Sequence, residues 1–393
     1  MKKVISVLLV SLVSVLASVV VSAQKPVAKA PSNLPLFPLE DIRPGMKGTA
    51  LTVFSGSQTE EFGVEVLGVL PGFPAPRQSA IIARLSGANA EKTGVFAGMS
   101  GSPVYIDGKL VGAIAFSFPF SKEPIAGITP IKQMIDLFNK GSENENLKPK
   151  EPRAVSFAQL ASSDWKLNLP KPTVSSAALL APVPADSPLM PLLGQQMTPI
   201  ATPLVFSGIS QDSLAMFAPQ LVASGLLPVS GVGGAAAITS MKPFDDNTFP
   251  SGSSISVQLV RGDYSLAAAG TVTLRDGDRI YAFGHPFLSL GSSDMPMTEC
   301  SVVTVVPNTN NSFKLAVPGQ MVGAISQDRS SGIFGLLGKT PKMIPMKVNL
   351  HTSRDRKETY SYEIANDTFL TPLLLNITVF NTITSSERAL GDS

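Results

Sequence analysis

Short apolar runs broken by Gly, Pro, Asp and Asn recur along most of the chain, a pattern that predicts many short strands joined by turns. In the first half, runs at 49–54, 62–70 and 80–85 read as strands, the last two rich in β-branched and aliphatic residues. Apolar runs on either side of Asp107-Gly108 predict a tight hairpin, because that dipeptide suits a two-residue turn. A helix is predicted next, with Thr129 as N-cap, Pro130 as first residue, and Ile131, Met134, Ile135 and Phe138 on one face that packs on the strands.

In the second half, strands are predicted at 255–260, in an Asp-Gly hairpin formed by 270–274 and 279–283, and at 302–306, 344–350, 359–364 and 373–380. Between the halves, 141–200 is Pro- and Ala-rich after a polar start, which suits a linker draped over the surface with Trp165 as its anchor. Residues 210–222 read as a short helix broken near Pro219. The run Gly231-Val232-Gly233-Gly234 reads as a flexible turn, since no Lys-Ser/Thr follows it as a phosphate loop requires.

The N-terminus reads as a targeting segment. Lys2 and Lys3 precede an apolar run from Val4 to Val21, and Val21-Ser22-Ala23 offers the small residues of a cleavage site after Ala23. As a helix the run would reach about 27 Å, so retention as a membrane anchor is the alternative, and only that outcome implies membrane association. Either way the bulk of the chain is expected outside the cytoplasm. Apolar residues make up 44% and charged residues 15% of 393, ample for a core and incompatible with wholesale disorder. A net charge of +2 without a basic aromatic patch gives no reason to expect nucleic acid as a partner.

The chemistry concentrates in Gly98-Met99-Ser100-Gly101-Ser102-Pro103, which runs directly into the Asp107-Gly108 hairpin. A serine between glycines in such a bend is how trypsin-like peptidases present a nucleophile, since glycines let backbone N–H groups of Gly98, Met99 and Ser100 converge on a substrate carbonyl. An ordinary Gly/Ser turn is the plain alternative. His285 and His351 are the only histidines; His285 lies between Gly284 and Pro286 at the end of a predicted strand, a fixed and approachable position for a general base. His351 reads as an exposed strand residue. Cys300 is the only cysteine, so no intrachain disulfide forms, and its setting in 297–303 reads as a buried strand rather than a thiol nucleophile. No cofactor and no metal cluster are implied.

These residues resemble the SpoIVB sporulation serine peptidases, in which a Gly-Met-Ser-Gly-Ser-Pro segment carries the nucleophile and a Gly-His segment the base. Lys92-Thr93-Gly94, 108–113 and 331–335 look like further family segments, and the resemblance covers roughly 42–140 and 255–350. It implies a mainly β, two-lobed, trypsin-like double β-barrel with a few short helices. Its parts would be a signal peptide at 1–23, a Pro-rich leader at 24–40, a serine-bearing lobe at 41–140, and a linker and irregular segment at 141–253. A histidine-bearing lobe at 254–382 and a tail at 383–393 would follow. The family's histidine lobe precedes its serine lobe, so the halves here look circularly permuted, which a site defined by geometry rather than chain order tolerates. A PDZ module is not evident.

The family's acidic member would stand shortly before the serine, where this chain reads Arg84-Leu85-Ser86-Gly87-Ala88-Asn89. Asp294 and Asp328 are the candidates to replace it, each also readable as a surface ion pair. Lys92 or Lys109 as a lysine base is the poorer option, both lying among polar loop residues. The expected function is limited cleavage of a protein or peptide substrate, with Ser100 as nucleophile and His285 as base. The rival expectation is a catalytically inactive binding or scaffold protein of the envelope; an esterase of the nucleophile-elbow type lacks its strand-to-helix context.

Overall fold

Two strand rings divide the chain in the computed structural model, which describes residues 35–143, 195–231, 237–351 and 357–389. The first is built from β1 (Lys47–Thr52), β2 (Glu60–Pro71), β3 (Ser79–Ser86), β4 (Pro103–Ile106), β5 (Lys109–Ser117) and β6 (Ile125–Pro130). Neighbours run in the order β4-β1-β2-β3-β6-β5, and pairing of β4 with β5 closes a six-stranded antiparallel barrel. A two-residue strand, β7 (Thr198–Pro199), adds to β5 outside the ring.

The second sheet comprises β8 (Thr202–Ser207), β9 (Leu226–Ser230), β10 (Ser254–Gly262), β11 (Ser265–Asp276), β12 (Arg279–Ala282), β13 (Gly291–Val306), β14 (Phe313–Arg329), β15 (Gly332–Leu337), β16 (Met343–His351) and β17 (Lys357–Ala365). Six of these, in the order β10-β13-β14-β15-β12-β11, close on themselves through a β10–β11 pairing. The remaining strands extend the sheet, β8 and β9 beside β11 and β17 and β16 beside β10. The mainly β, double-barrel architecture expected from the sequence is therefore what the chain adopts.

Each ring encloses its own apolar core, with Phe62, Val64, Ile81, Leu85 and Ile114 in the first and Ile255, Val257, Leu266, Met297 and Ile325 in the second. Among the described residues the α-helices are α1 (Ala90–Thr93), α2 (Ile131–Glu143), α3 (Gln211–Ala223) and α4 (Leu370–Ala389). The apolar face of α2 packs as the periodicity predicts, but between the barrels: Phe138 stacks on Phe334 with ring centroids 5.5 Å apart and meets Tyr281 at 5.9 Å. Burying these rings fastens the two barrels to each other.

Four local expectations are corrected. The strand expected at 373–380 is part of α4; Leu370, Leu373, Leu374 and Ile377 are buried at helical spacing, and the Asp367 carboxylate accepts the N–H groups of Phe369 and Leu370 at the start. Pro219 does not break α3, whose N-cap Ser210 accepts the Ser213 N–H at 3.2 Å. Thr129 and Pro130 close β6 instead of opening α2, because the Thr129 hydroxyl crosses to the second barrel. Part of the stretch expected to be linker and irregular chain forms β8 and β9 of the second sheet. The expectations for the signal segment, Trp165 and the glycine run after Gly231 fall outside the described residues.

Candidate active site

The serine loop leaves the core at Phe96 and enters β4 at Pro103, and its bonds sort its donors. Met99 N–H is spent on Phe96 O (3.0 Å), Gly101 N–H on Ile114 O (2.7 Å), and Ser102 N–H on Met99 O (3.0 Å). Among the described residues, the N–H groups of Gly98 and Ser100 have no acceptor. These two donors, from the serine and from the residue two before it, are the pair a trypsin-like oxyanion hole uses. The N–H of Met99, the third member of the expected set, is taken up by its turn bond to Phe96 O.

The second barrel holds this loop from behind. Thr271 N–H donates to Ser100 O (2.9 Å), Thr271 Oγ1 to Gly98 O (3.0 Å), and Thr273 Oγ1 to Gly101 O (2.8 Å). Gly101 is the contact point: at φ +98° a Cβ there would stand 1.9 Å from Thr271 O and 2.6 Å from Phe283 N, so only glycine lets the barrels close.

His285 reaches the same seam from the other side. Gly284 presses on β5, where a Cβ would lie 2.8 Å from that of Ala113, and its carbonyl accepts the Thr129 hydroxyl at 2.7 Å. His285 Nδ1 lies 2.8 Å from Pro286 O. A carbonyl only accepts, so Nδ1 carries the proton and Nε2 presents a lone pair, the tautomer a general base needs. Burial holds the imidazole pKa down to about 4, the Pro286 bond opposing it weakly, so the ring is neutral at pH 7. His285 Nε2 and Ser100 Oγ are both buried and neither has a hydrogen-bond partner, so the two expected site residues share one seam without bonding to each other.

Neither candidate carboxylate bonds to the imidazole. Asp328 is fully buried and accepts N–H groups from Phe287 (2.8 Å), Leu288 (2.7 Å) and Leu290 (3.1 Å), so it braces the loop that follows His285. Burial outweighs these bonds and raises its pKa to about 6. Asp294 instead accepts Lys342 N–H at 2.9 Å and faces Lys339 Nζ at 3.4 Å in a partly exposed pair. Lys92 and Lys109 are both exposed, but Lys92 stands in the single turn of α1 rather than in a loop, and Lys109 opens β5. Cys300 is buried, and that burial pushes its thiol up to about 12.

A residue that the sequence reading missed is Lys314. Fully buried on β14, it donates through Nζ to Thr52 Oγ1 (2.9 Å), Thr271 Oγ1 (3.1 Å) and Ser254 Oγ (3.4 Å), and its aliphatic stem lies against Gly98. Desolvation lowers its pKa to about 7. Its signal was alternation: Lys314 falls in phase with Ala316, on the inward side of the strand.

Ser100 thus lies buried in a loop of the first barrel beside two N–H groups without an acceptor among the described residues. Residues 19–135 match the model of the SpoIVB peptidase S55 family. The resemblance to SpoIVB peptidases is thereby supported through the serine-bearing barrel, over less than a third of the chain, and the match ends well before His285. No curated protein and no solved structure matches the chain. The family match points to a serine-type peptidase, whose substrates would be proteins or peptides.

Proposed function

We propose that the chain is a SpoIVB-like serine endopeptidase acting outside the cytoplasm, with its serine and histidine lobes in permuted order. Ser100 Oγ adds to the scissile carbonyl carbon while its proton passes to His285 Nε2. The resulting oxyanion is met by Gly98 and Ser100 N–H. The imidazolium then gives its proton to the leaving amine as the C–N bond breaks, and water attacks the acyl-enzyme by the same route. Pro286 O sets the histidine tautomer and Asp328 braces the following loop, dividing between them part of the work a triad carboxylate does alone.

The observation that carries this reading is the seam itself: a neutral histidine with a free Nε2 and a serine with a free Oγ, both buried and both anchored by bonds that cross the barrels. A fluorophosphonate probe is expected to label Ser100 in the folded protein, and labelling is expected to drop by orders of magnitude in Ser100→Ala and His285→Ala. The second reading, an inactive envelope scaffold, draws on the complete burial of Ser100 and the missing Ser–His bond. Absence of labelling and of peptidase activity in a folded protein with its cleft open would favour it. For export, the mature chain is expected to begin at Gln24, as N-terminal sequencing of the exported protein would read directly.

A further inference from the structure

The edge of β5 is occupied in three consecutive pieces. β4 pairs with it as far as Ala113, the serine loop takes Ile114 through Gly101 N–H to Ile114 O (2.7 Å) and Ile114 N–H to Ser102 O (2.9 Å), and Ile200 N–H then takes Ala115 O at 2.9 Å. Beyond that, Phe116 faces Pro199 and Ser117 faces Thr198 in antiparallel register. Backbone from a remote part of the chain therefore continues the edge immediately past the nucleophile loop.

We infer that β5 residues 115–117 form a binding edge for an extended peptide, and that the chain's own residues 197–201 fill it and close the site. The consequence for catalysis rests on the peptidase reading; the binding edge does not.

Three observations support the assignment. First, the strand is seated by side chains that a peptide could replace. Ile200 is buried with the first barrel's core, and Met197 lies over Gly127, where a Cβ would come within 2.6 Å of its sulfur. Second, Pro199 occupies a pair between hydrogen-bonded positions, where an antiparallel ladder asks for no donor, so its missing N–H costs nothing. Third, Pro199 and Ile200 form the wall between two spaces. On one side is a groove of ≈ 270 Å³ bordered by Val95, Ser117 and Asn308; on the other is a pocket of ≈ 30 Å³ that reaches His285. The smaller space holds a water or two but no peptide side chain. Moving the strand off β5 would join the groove to His285.

The ligand this edge selects is an extended segment that adds to the sheet by main-chain bonds, with an aliphatic side chain at the Ile200 position. Held in the same molecule, residues 197–201 compete for this edge at a high effective concentration.

The test locks and loosens this strand in the full chain. Directly opposed residues of an antiparallel pair lie ~4.5–5.5 Å apart, within disulfide reach, so Ser117→Cys/Thr198→Cys can be clamped by oxidation. Buried Cys300 stays out of the exchange. The probe is a fluorescein-labelled peptide with the sequence of residues 195–202. It is expected to bind Ile200→Ala at least tenfold more tightly than wild type, and to bind the reduced double variant at least tenfold more tightly than the oxidised one. Equal binding to the reduced and oxidised forms, or no binding to a folded Ile200→Ala, overturns the inference. Fluorophosphonate labelling of Ser100 is read in the same samples. Labelling that falls at least tenfold on oxidation ties the strand to catalysis; gated peptide binding without labelling in any form leaves the edge standing and removes the peptidase reading instead.

Discussion

Lys314 Nζ donates to Thr271 Oγ1 at 3.1 Å, and that hydroxyl passes a bond on to Gly98 O at 3.0 Å, so a buried amine braces the peptide plane two residues before Ser100. The folded lysine gives up its proton near pH 7, whereas the unfolded chain keeps it to about 10.5. Between those values the unfolded state binds more protons, so this group makes stability rise with pH. Lys314→Met is expected to remove that rise while keeping the volume filled. Urea midpoints at pH 7 and pH 9 check it: wild type should gain relative to the variant, and parallel behaviour would place the ammonium in water.

The two carboxylates separate by role. In Asp328→Asn the amide NH₂ would face a backbone N–H where an oxygen now accepts, leaving a buried donor unmatched at a cost of about 1–3 kcal/mol. Ser100 labelling should slow with it, because the loop after His285 loosens. Asp294→Asn breaks a partly exposed pair with Lys339 and is expected to cost about 0–1 kcal/mol with labelling unchanged. Denaturant melts and labelling rates on both variants provide the comparison.

His285 and Asp328 contribute opposite slopes to the acid limb of stability. The histidine is neutral when folded down to about pH 4 but takes a proton below about 6.5 when unfolded, so its share rises with pH across that window. Asp328 holds its proton up to about pH 6 when folded and loses it near 3.8 when unfolded, so its share falls with rising pH. Replacing His285 by Asn should therefore expose a decline from pH 4 to pH 6 relative to wild type. Thermal melts at pH 4.5 and pH 6 measure that difference; a steeper rise in the variant would reverse the assignment.

Two glycines with positive φ should behave very differently. Gly108 lies at an open turn with φ +71° and nothing within 4 Å, so Gly108→Ala is expected to cost about 1 kcal/mol in backbone strain alone. Gly101→Ala would drive a methyl into Thr271 O, and a shift large enough to relieve it pulls the barrels apart. The expected result is loss of several kcal/mol or two separate melting transitions in calorimetry where wild type gives one.

Local periodicity made much of the architecture readable. The alternation in β2 and β3, the Asp107-Gly108 turn and the apolar face of α2 each follow from neighbours in sequence, and the structure has them where those patterns place them. The misses share a different physics. Leu373 to Phe380 carries the β-branched residues of a strand, yet burial at helical spacing against β16 and β17 overrides that preference. Pro286 O and the backbone partners of Asp328 act through main-chain atoms, which leave no mark on residue type. Lys314 and the 197–201 strand owe their importance to what folds against them from far along the chain.

Because Thr271, Thr273 and Lys314 clamp the serine loop from the second barrel, the loop has no finished shape while only the first barrel has been made. Ser100 emerges early in synthesis, but the bonds that hold the carbonyls of Gly98, Ser100 and Gly101 wait for residues more than a hundred and fifty positions later. A nascent or truncated chain thus carries the serine without its setting. The order in which the barrels are strung together keeps the seam from assembling until the strands that carry Thr271, Thr273 and Lys314 have been made.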